Sequence, residues 1–160
     1  MAITNIKDVL NALRTIIEED DRLASYNNVV LIQQVADNES PISGKFSSHC
    51  ITLWPLSEPE EEERFYKWSD LRFSIEITAC VKGGLDQEEL MQGNSNKNFI
   101  GLGEFIADLK KLLRFNTLDN ALDKAPKDAI GEVTYIRVPE TNLVKGKFTF
   151  TGYKRQDLTA

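Results

Sequence analysis

The stretch Leu71-Arg72-Phe73-Ser74-Ile75-Glu76-Ile77-Thr78-Ala79-Cys80-Val81-Lys82 decides the fold. Apolar residues at 71, 73, 75, 77, 79 and 81 alternate with Arg72, Ser74, Glu76, Thr78, Cys80 and Lys82. A period of two held over twelve residues predicts a long β-strand with one face on the core and the other wet or covered by a partner. Strands of small domains commonly run about five or six residues, so this one is expected to reach past its sheet as an arm. Phe73, Ile75 and Ile77 are expected in the core beneath the helices.

Two helices flank it in sequence. Ile3, Ile6, Val9, Leu10, Leu13, Ile16 and Ile17 recur at threes and fours and make one apolar stripe, capped by Thr4 or Asn5 and ended near Asp20 by the run Glu18-Glu19-Asp20-Asp21. Phe99, Leu102, Phe105, Ile106, Leu109, Leu112 and Leu113 rebuild that stripe, with Asn98 as the expected cap and Lys110, Lys111 and Arg114 at the carboxyl end. Further strands are predicted at Val29 to Gln33, His49 to Trp54 with Pro55 ending it, Glu132 to Val138 and Val144 to Tyr153. In the last, Lys145 and Lys147 face away from Val144, Phe148 and Phe150. Residues 36 to 48 read as a loop, Ser57 to Arg64 as a solvated acidic connection, and 83 to 98 as a long loop opened by Gly83-Gly84. Residues 57 to 64 and 84 to 98 are expected to be mobile in the isolated subunit. The whole implies one α+β domain over residues 1–160, a mostly antiparallel sheet of about four to six strands with two helices on one face, and 155–160 as a loose tail.

Composition narrows function by exclusion. The 160 residues are 41% hydrophobic and 28% charged with nine glycines and five prolines, which is globular composition rather than disordered, fibrous or disulfide-stapled. No apolar run approaches the ~18 residues that cross a bilayer, and the first residues carry no secretory pattern, so a cytoplasmic place of synthesis is expected. The net charge is -6, split into 17 acids against 8 bases over residues 1–95 and 8 acids against 11 bases over 96–160, nets of -9 and +3. An acidic chain repels phosphate, which disfavours non-specific nucleic-acid binding. Cys50 and Cys80 read as small buried hydrophobes, and the single histidine, His49, as a polar residue starting a strand.

No phosphate loop, dinucleotide fingerprint or zinc-protease pattern is present, and Gly101-Leu102-Gly103 lacks the third glycine of a cofactor loop. Its two glycines point instead to tight packing at the helix start. Carboxylates such as Glu18 and Asp21 lie in runs of like charge and read as solvated surface. Phe65, Tyr66 and Trp68 between Arg64 and Lys67 offer rings beside cations, yet four glutamates precede them. An apolar arm that packs on a neighbouring subunit is the better use of those rings. No catalytic residue, cofactor or metal is expected.

The order of these elements resembles the tail terminator (tail completion, head-tail joining) proteins of long-tailed bacteriophages. The likeness is carried by the helix Ile6 to Ile17, the strand Ile51-Thr52-Leu53-Trp54 closed by Pro55, and the alternating strand Leu71 to Val81. It continues through the helix Phe99 to Leu113 with Asn116-Thr117-Leu118, and ends on Lys147-Phe148-Thr149-Phe150-Thr151. The resemblance implies a structural virion protein, assembled in the host cytoplasm. Six subunits would form a ring that caps the tail tube, stops its polymerisation and joins the head, with the tail tube protein and a head-completion or neck protein as partners, and no membrane or sequence-specific nucleic acid. A head-side neck protein shares the architecture, and a soluble acidic adaptor or inhibitor of a host protein is an alternative of another class. Interface candidates are Glu60, Glu61, Glu62, Glu63, Phe65 and Trp68 with Lys145, Lys147, Lys154 and Arg155. The unlike charges of the two stretches suggest head-to-tail pairing between subunits.

Overall fold

The computed structural model describes residues 5–26, 28–41, 46–64, 67–84, 86–118, 121–123, 129–139 and 141–157, with 62–64 as backbone alone. Its centre is the predicted strand, longer at its start than the alternation marks: β4, Trp68–Lys82. It lies between β2 (His49–Pro55) and β6 (Leu143–Asp157), both antiparallel to it. Outside these run β1 (Val29–Ile32), parallel to β2, and β5 (Thr134–Arg137), antiparallel to β6, giving the order β1-β2-β4-β6-β5. A sixth strand, β3 (Glu60–Arg64), pairs with the start of β4 on the side that β2 has left. The fold is α+β with one mixed, mainly antiparallel sheet.

One face of the sheet carries Val30, Ile51, Leu53, Phe73, Ile75, Ile77, Val144, Phe148 and Phe150, all buried as the period of two requires. The helices close over it. α1 (Ile6–Glu19) contributes Val9, Leu10, Leu13 and Ile17, and α4 (Leu102–Leu113) contributes Phe105, Ile106, Leu109 and Leu113. Asn5 caps α1, accepting from the Asp8 amide while the Asp8 carboxylate accepts from the Asn5 amide, a reciprocal box that satisfies two donors. Among the described residues no helix is long and apolar enough to cross a membrane.

Among the described residues four α-helices are present where two are expected. The acidic run ends α1 at Glu19, and Asp20 then caps a short α2 (Asp21–Ala24) by accepting from the Leu23 amide, so its charge meets a helix start. The segment 84–98 holds α3 (Gln87–Gln92), capped by Asp86 and anchored by buried Leu90, and a 3-10 turn at Ser95–Lys97. Six residues are too few for a helical period to show. The helix expected from Phe99 starts at Leu102: Asn98 turns left-handed at φ 52°, Phe99 bridges back to Asn94, and Gly101 stands at the cap. The acidic connection is likewise part strand, since β3 satisfies its backbone on β4 while Glu60 and Glu61 stay exposed. Both segments expected to be mobile therefore hold secondary structure in the single chain. Of the tail predicted at 155–160, Arg155 to Asp157 belong to β6, and 158–160 lie outside the described residues.

The sheet's other face is closed by an irregular layer. A parallel β1-β2 pair needs a crossover, here residues 33 to 48, and Ala36, Asp37, Glu39 and Phe46 of it pack beneath the strands. Phe46 joins Cys50, Cys80, Val138 and Leu143 in a second apolar cluster, with the Lys82 ammonium 4.2 Å from the Phe46 ring centre. Lys145, expected to be an outward charge, is 1% exposed and donates from Nζ to the carbonyls of Ala36 (2.8 Å) and Glu39 (3.0 Å). Burial lowers its pKa. Lys147 reaches Asp37 of the same crossover at 2.7 Å.

Candidate functional site

Register brings most of the interface candidates to one end of the sheet. Glu61, Leu71 and Lys154 form one cross-strand row, Glu60, Arg72 and Tyr153 the next, and Trp68 lies opposite Asp157. The acidic and basic stretches are thus neighbours on one tip, two strands apart. Much of the tip's charge is met within the chain: Arg72 bonds Glu60, Lys154 lies 3.5 Å from Asp123, and the Arg155 guanidinium stacks 3.8 Å from the Trp68 ring centre beside Asp70. The Arg155 amide donates to the Asp123 carboxylate at 2.6 Å. Glutamates along β3, with a bulge between Glu61 and Glu63, repel a further strand from the open edge. Phe65 and the side chains of Glu62 and Glu63 lie outside the described residues. Lys145 and Lys147 stand apart, opposite Cys80 and Thr78 beneath the crossover.

The structure also forms a site that the sequence does not announce. A pocket of about 760 Å³ opens between α2, the start of β2 and the chain from Gln92 to Ile100. Its geometry follows from glycine. Gly93 ends α3 at φ 81°, and a Cβ on Gly101 would stand 2.3 Å from the Gly93 nitrogen, so the two ends of this loop touch backbone to backbone. The glycines flagged at the start of α4 serve this approach.

His49 forms the inner wall, 3% exposed, its ring 5.3 Å from Phe99 and Phe105 and 5.7 Å from Tyr26. Nε2 lies 2.7 Å from the Ile100 carbonyl, which only accepts, so the neutral ring carries its proton there and Nδ1 accepts from the Ser48 hydroxyl at 2.7 Å. Burial pushes the imidazole below its ordinary pKa. With both nitrogens engaged, His49 is a strut between β2 and the loop. Arg22 bonds Glu104 and Asp108 and lies 5.2 Å over the Tyr26 ring, which offsets its charge locally. The remaining wall is Ser25, Ser48, Ser95, Gln92, Asn94 and Asn98. Tyr26 is 7% exposed, and its hydroxyl is buried without a hydrogen-bond partner.

These residues come from three separate stretches, so no motif marks them; the one signal was the length of the polar connection after Gly84. Among the described residues no three His, Cys, Asp or Glu side chains group to hold a metal ion. Cys50 and Cys80, paired across β2 and β4, are free thiols, and burial pushes Cys50 up to about 12 and Cys80 higher still, which keeps both protonated at neutral pH. No protein-family model matches the chain, and no curated protein matches it.

Proposed function

We propose that the chain is a structural virion protein of a long-tailed bacteriophage that assembles as a six-membered ring, caps the tail tube, stops its polymerisation and joins it to the head. The observation that carries this reading is the β4-β6 ribbon, fifteen residues in each strand and paired from Trp68 with Asp157 to Lys82 with Leu143. At ~3.3 Å per residue it spans about 50 Å, against about 21 Å for α1 and about 18 Å for α4. Its far end, where β3 takes over from β2 beside β4, bears Trp68, Leu71, Tyr153 and Arg155, none of them fully buried. β4 does not reach past its sheet alone, since β6 pairs with it over its whole length; the two together form an arm that suits a protein whose neighbours are copies of itself. The order of elements along the chain supports the same reading.

Charge takes a different part from the one its distribution along the sequence suggests. Acids and bases share one tip, so a neighbouring subunit meets a mixed surface. Exposed pairs contribute only ~0.2 to 1 kcal/mol each, which leaves apolar contact through the arm as the main source of affinity. The test is assembly. Mixed with purified tail tubes, the chain is expected to appear as rings on tube ends in electron micrographs, and virions made without it are expected to show tails of uncontrolled length beside free filled heads. Tails of normal length in its absence would move the role to the head side or elsewhere.

A further inference from the structure

We infer that Phe115, at the end of α4, is a knob that seats on an uncovered strip of sheet around Leu56 in a second copy of the chain. The inference rests on the ring reading and names a contact between the ring's members.

The knob is marked by its backbone. Arg114 at φ -63° and ψ 123° and Phe115 at φ 59° are closed by the Asn116 amide, which donates to the Leu113 carbonyl at 3.1 Å, the pattern of a type II turn. That turn favours glycine or asparagine where Phe115 stands, because a bulky side chain at positive φ is strained. Leu118 shares the left-handed backbone at φ 55°, yet it is fully buried, so packing offsets the strain. Phe115 is 60% exposed, and its ring gains no such packing within the chain. A neighbour that covers the ring would supply it. Lys111, one helical turn back, and Arg114 are exposed beside it, and neither meets a carboxylate among the described residues.

The seat lies on the other face of the sheet. The irregular layer reaches the row of Thr78 and Lys147, where Lys147 meets Asp37. Toward the tip the same face runs on through Trp54 beside Glu76, Leu56 beside Ser74 and Glu60 beside Arg72, and none of these six is buried. Leu56 is 51% exposed at the middle of the strip, and Glu58 two residues on is exposed as well.

Charge selects the occupant. Glu58, Glu60 and Glu76 outnumber Arg72, itself bonded to Glu60, so the seat is acidic where the knob is basic. Opposite charges around two apolar centres set register, while the apolar contact supplies affinity. The sheet stands between knob and seat, so the two cannot meet within one chain. Each copy gives its knob to one neighbour and its seat to another, a head-to-tail contact of the kind that closes into a ring.

The experiment follows self-association of the full chain by sedimentation, alone and with tail tubes. Phe115→Gly, which fits the turn, is expected to keep or raise the melting temperature and to weaken association about tenfold or more, whereas a residue that only supported the fold would lower the melt. Leu56→Arg is expected to weaken association as much. A mixture of the two variants is the sharper measurement: Leu56→Arg chains keep the knob and Phe115→Gly chains keep the seat, so they are expected to pair and to stop at dimers. Association that survives in both variants, or a mixture that stays monomeric or grows beyond dimers, would overturn the inference and leave the ring to other surfaces. So would loss of tube binding in Phe115→Gly with self-association unchanged, which would give the knob to the tube protein. Open head-to-tail oligomers that ignore tail tubes would overturn the ring and leave this contact standing. A wild-type chain that stays monomeric with and without tubes would overturn both.

Discussion

The two faces of the sheet are built by different means. The helical face is covered by elements with their own apolar stripes, so each buried contact joins two periodic surfaces. The crossover face is covered by the chain from 33 to 48, whose described residues form no helix or strand, and it holds together through Phe46, two thiols and a buried ammonium that answers two loop carbonyls. Periodic layers gain stability from area alone. An irregular layer must also satisfy its own backbone, and here Lys145 supplies donors that no apolar side chain has.

That contrast breaks most visibly at Phe73, beneath the helices. Phe73→Ala is expected to cost ~3 to 5 kcal/mol in denaturant melts, because lost transfer energy and an unfilled cavity add. On the opposite face, Lys145→Ala is expected to cost about 2 to 3 kcal/mol, since the Ala36 and Glu39 carbonyls lose their donor. Lys145→Met keeps the stem and not the donor, so recovery of most of that loss would show that packing rather than hydrogen bonding holds the crossover.

His49 sharpens the comparison on the helical side by pH. Its folded pKa lies below its ordinary value near 6.5, so between the two the unfolded chain takes up a proton that the folded chain refuses. Stability is therefore full above that ordinary value and is lost as pH falls through the window, by at most about 1.4 kcal/mol per pH unit. Melts between pH 7 and 5 are expected to show this slope, and His49→Gln to lack it. The smallest effect is expected at the rim of the crossover, where Asp37→Ala opens an ion pair that water already reaches. Its melting shift is expected to be the least of the four and to vanish in high salt.

What the sequence reveals divides along the same faces. α1, β4 and the body of α4 are legible because a long period survives local noise, as Ile6 to Ile17 and Leu71 to Val81 show. α3 and β3 are hidden, one by being a six-residue helix and the other by glutamates that strand propensity disfavours at an edge that nevertheless accepts them. Lys145 is hidden for a further reason: a lysine alternating with Val144 and Gly146 reads as wet, and nothing local says that a distant loop folds over it. The interface candidates were identifiable as charges and rings but not as one tip, since register across three strands decides that. The pocket was legible only as a long polar connection after Gly84, its wall being assembled from residues as far apart as Arg22 and Glu104.

The ribbon has a consequence for synthesis as well as for form. β4 pairs with a strand that follows it by 61 residues at the near end, Lys82 with Leu143, and by 89 at the far end, Trp68 with Asp157. While the chain is being made, β2 and β3 cover one side of β4, and its other edge stays unpaired until β6 emerges from the ribosome. During that interval an alternating strand with apolar Phe73, Ile75 and Ile77 presents free amides and carbonyls to every other nascent copy nearby. Contacts so distant in sequence also form slowly. The last strand to be translated is thus the one that closes the sheet, and any delay before it lengthens the time in which aggregation competes with folding.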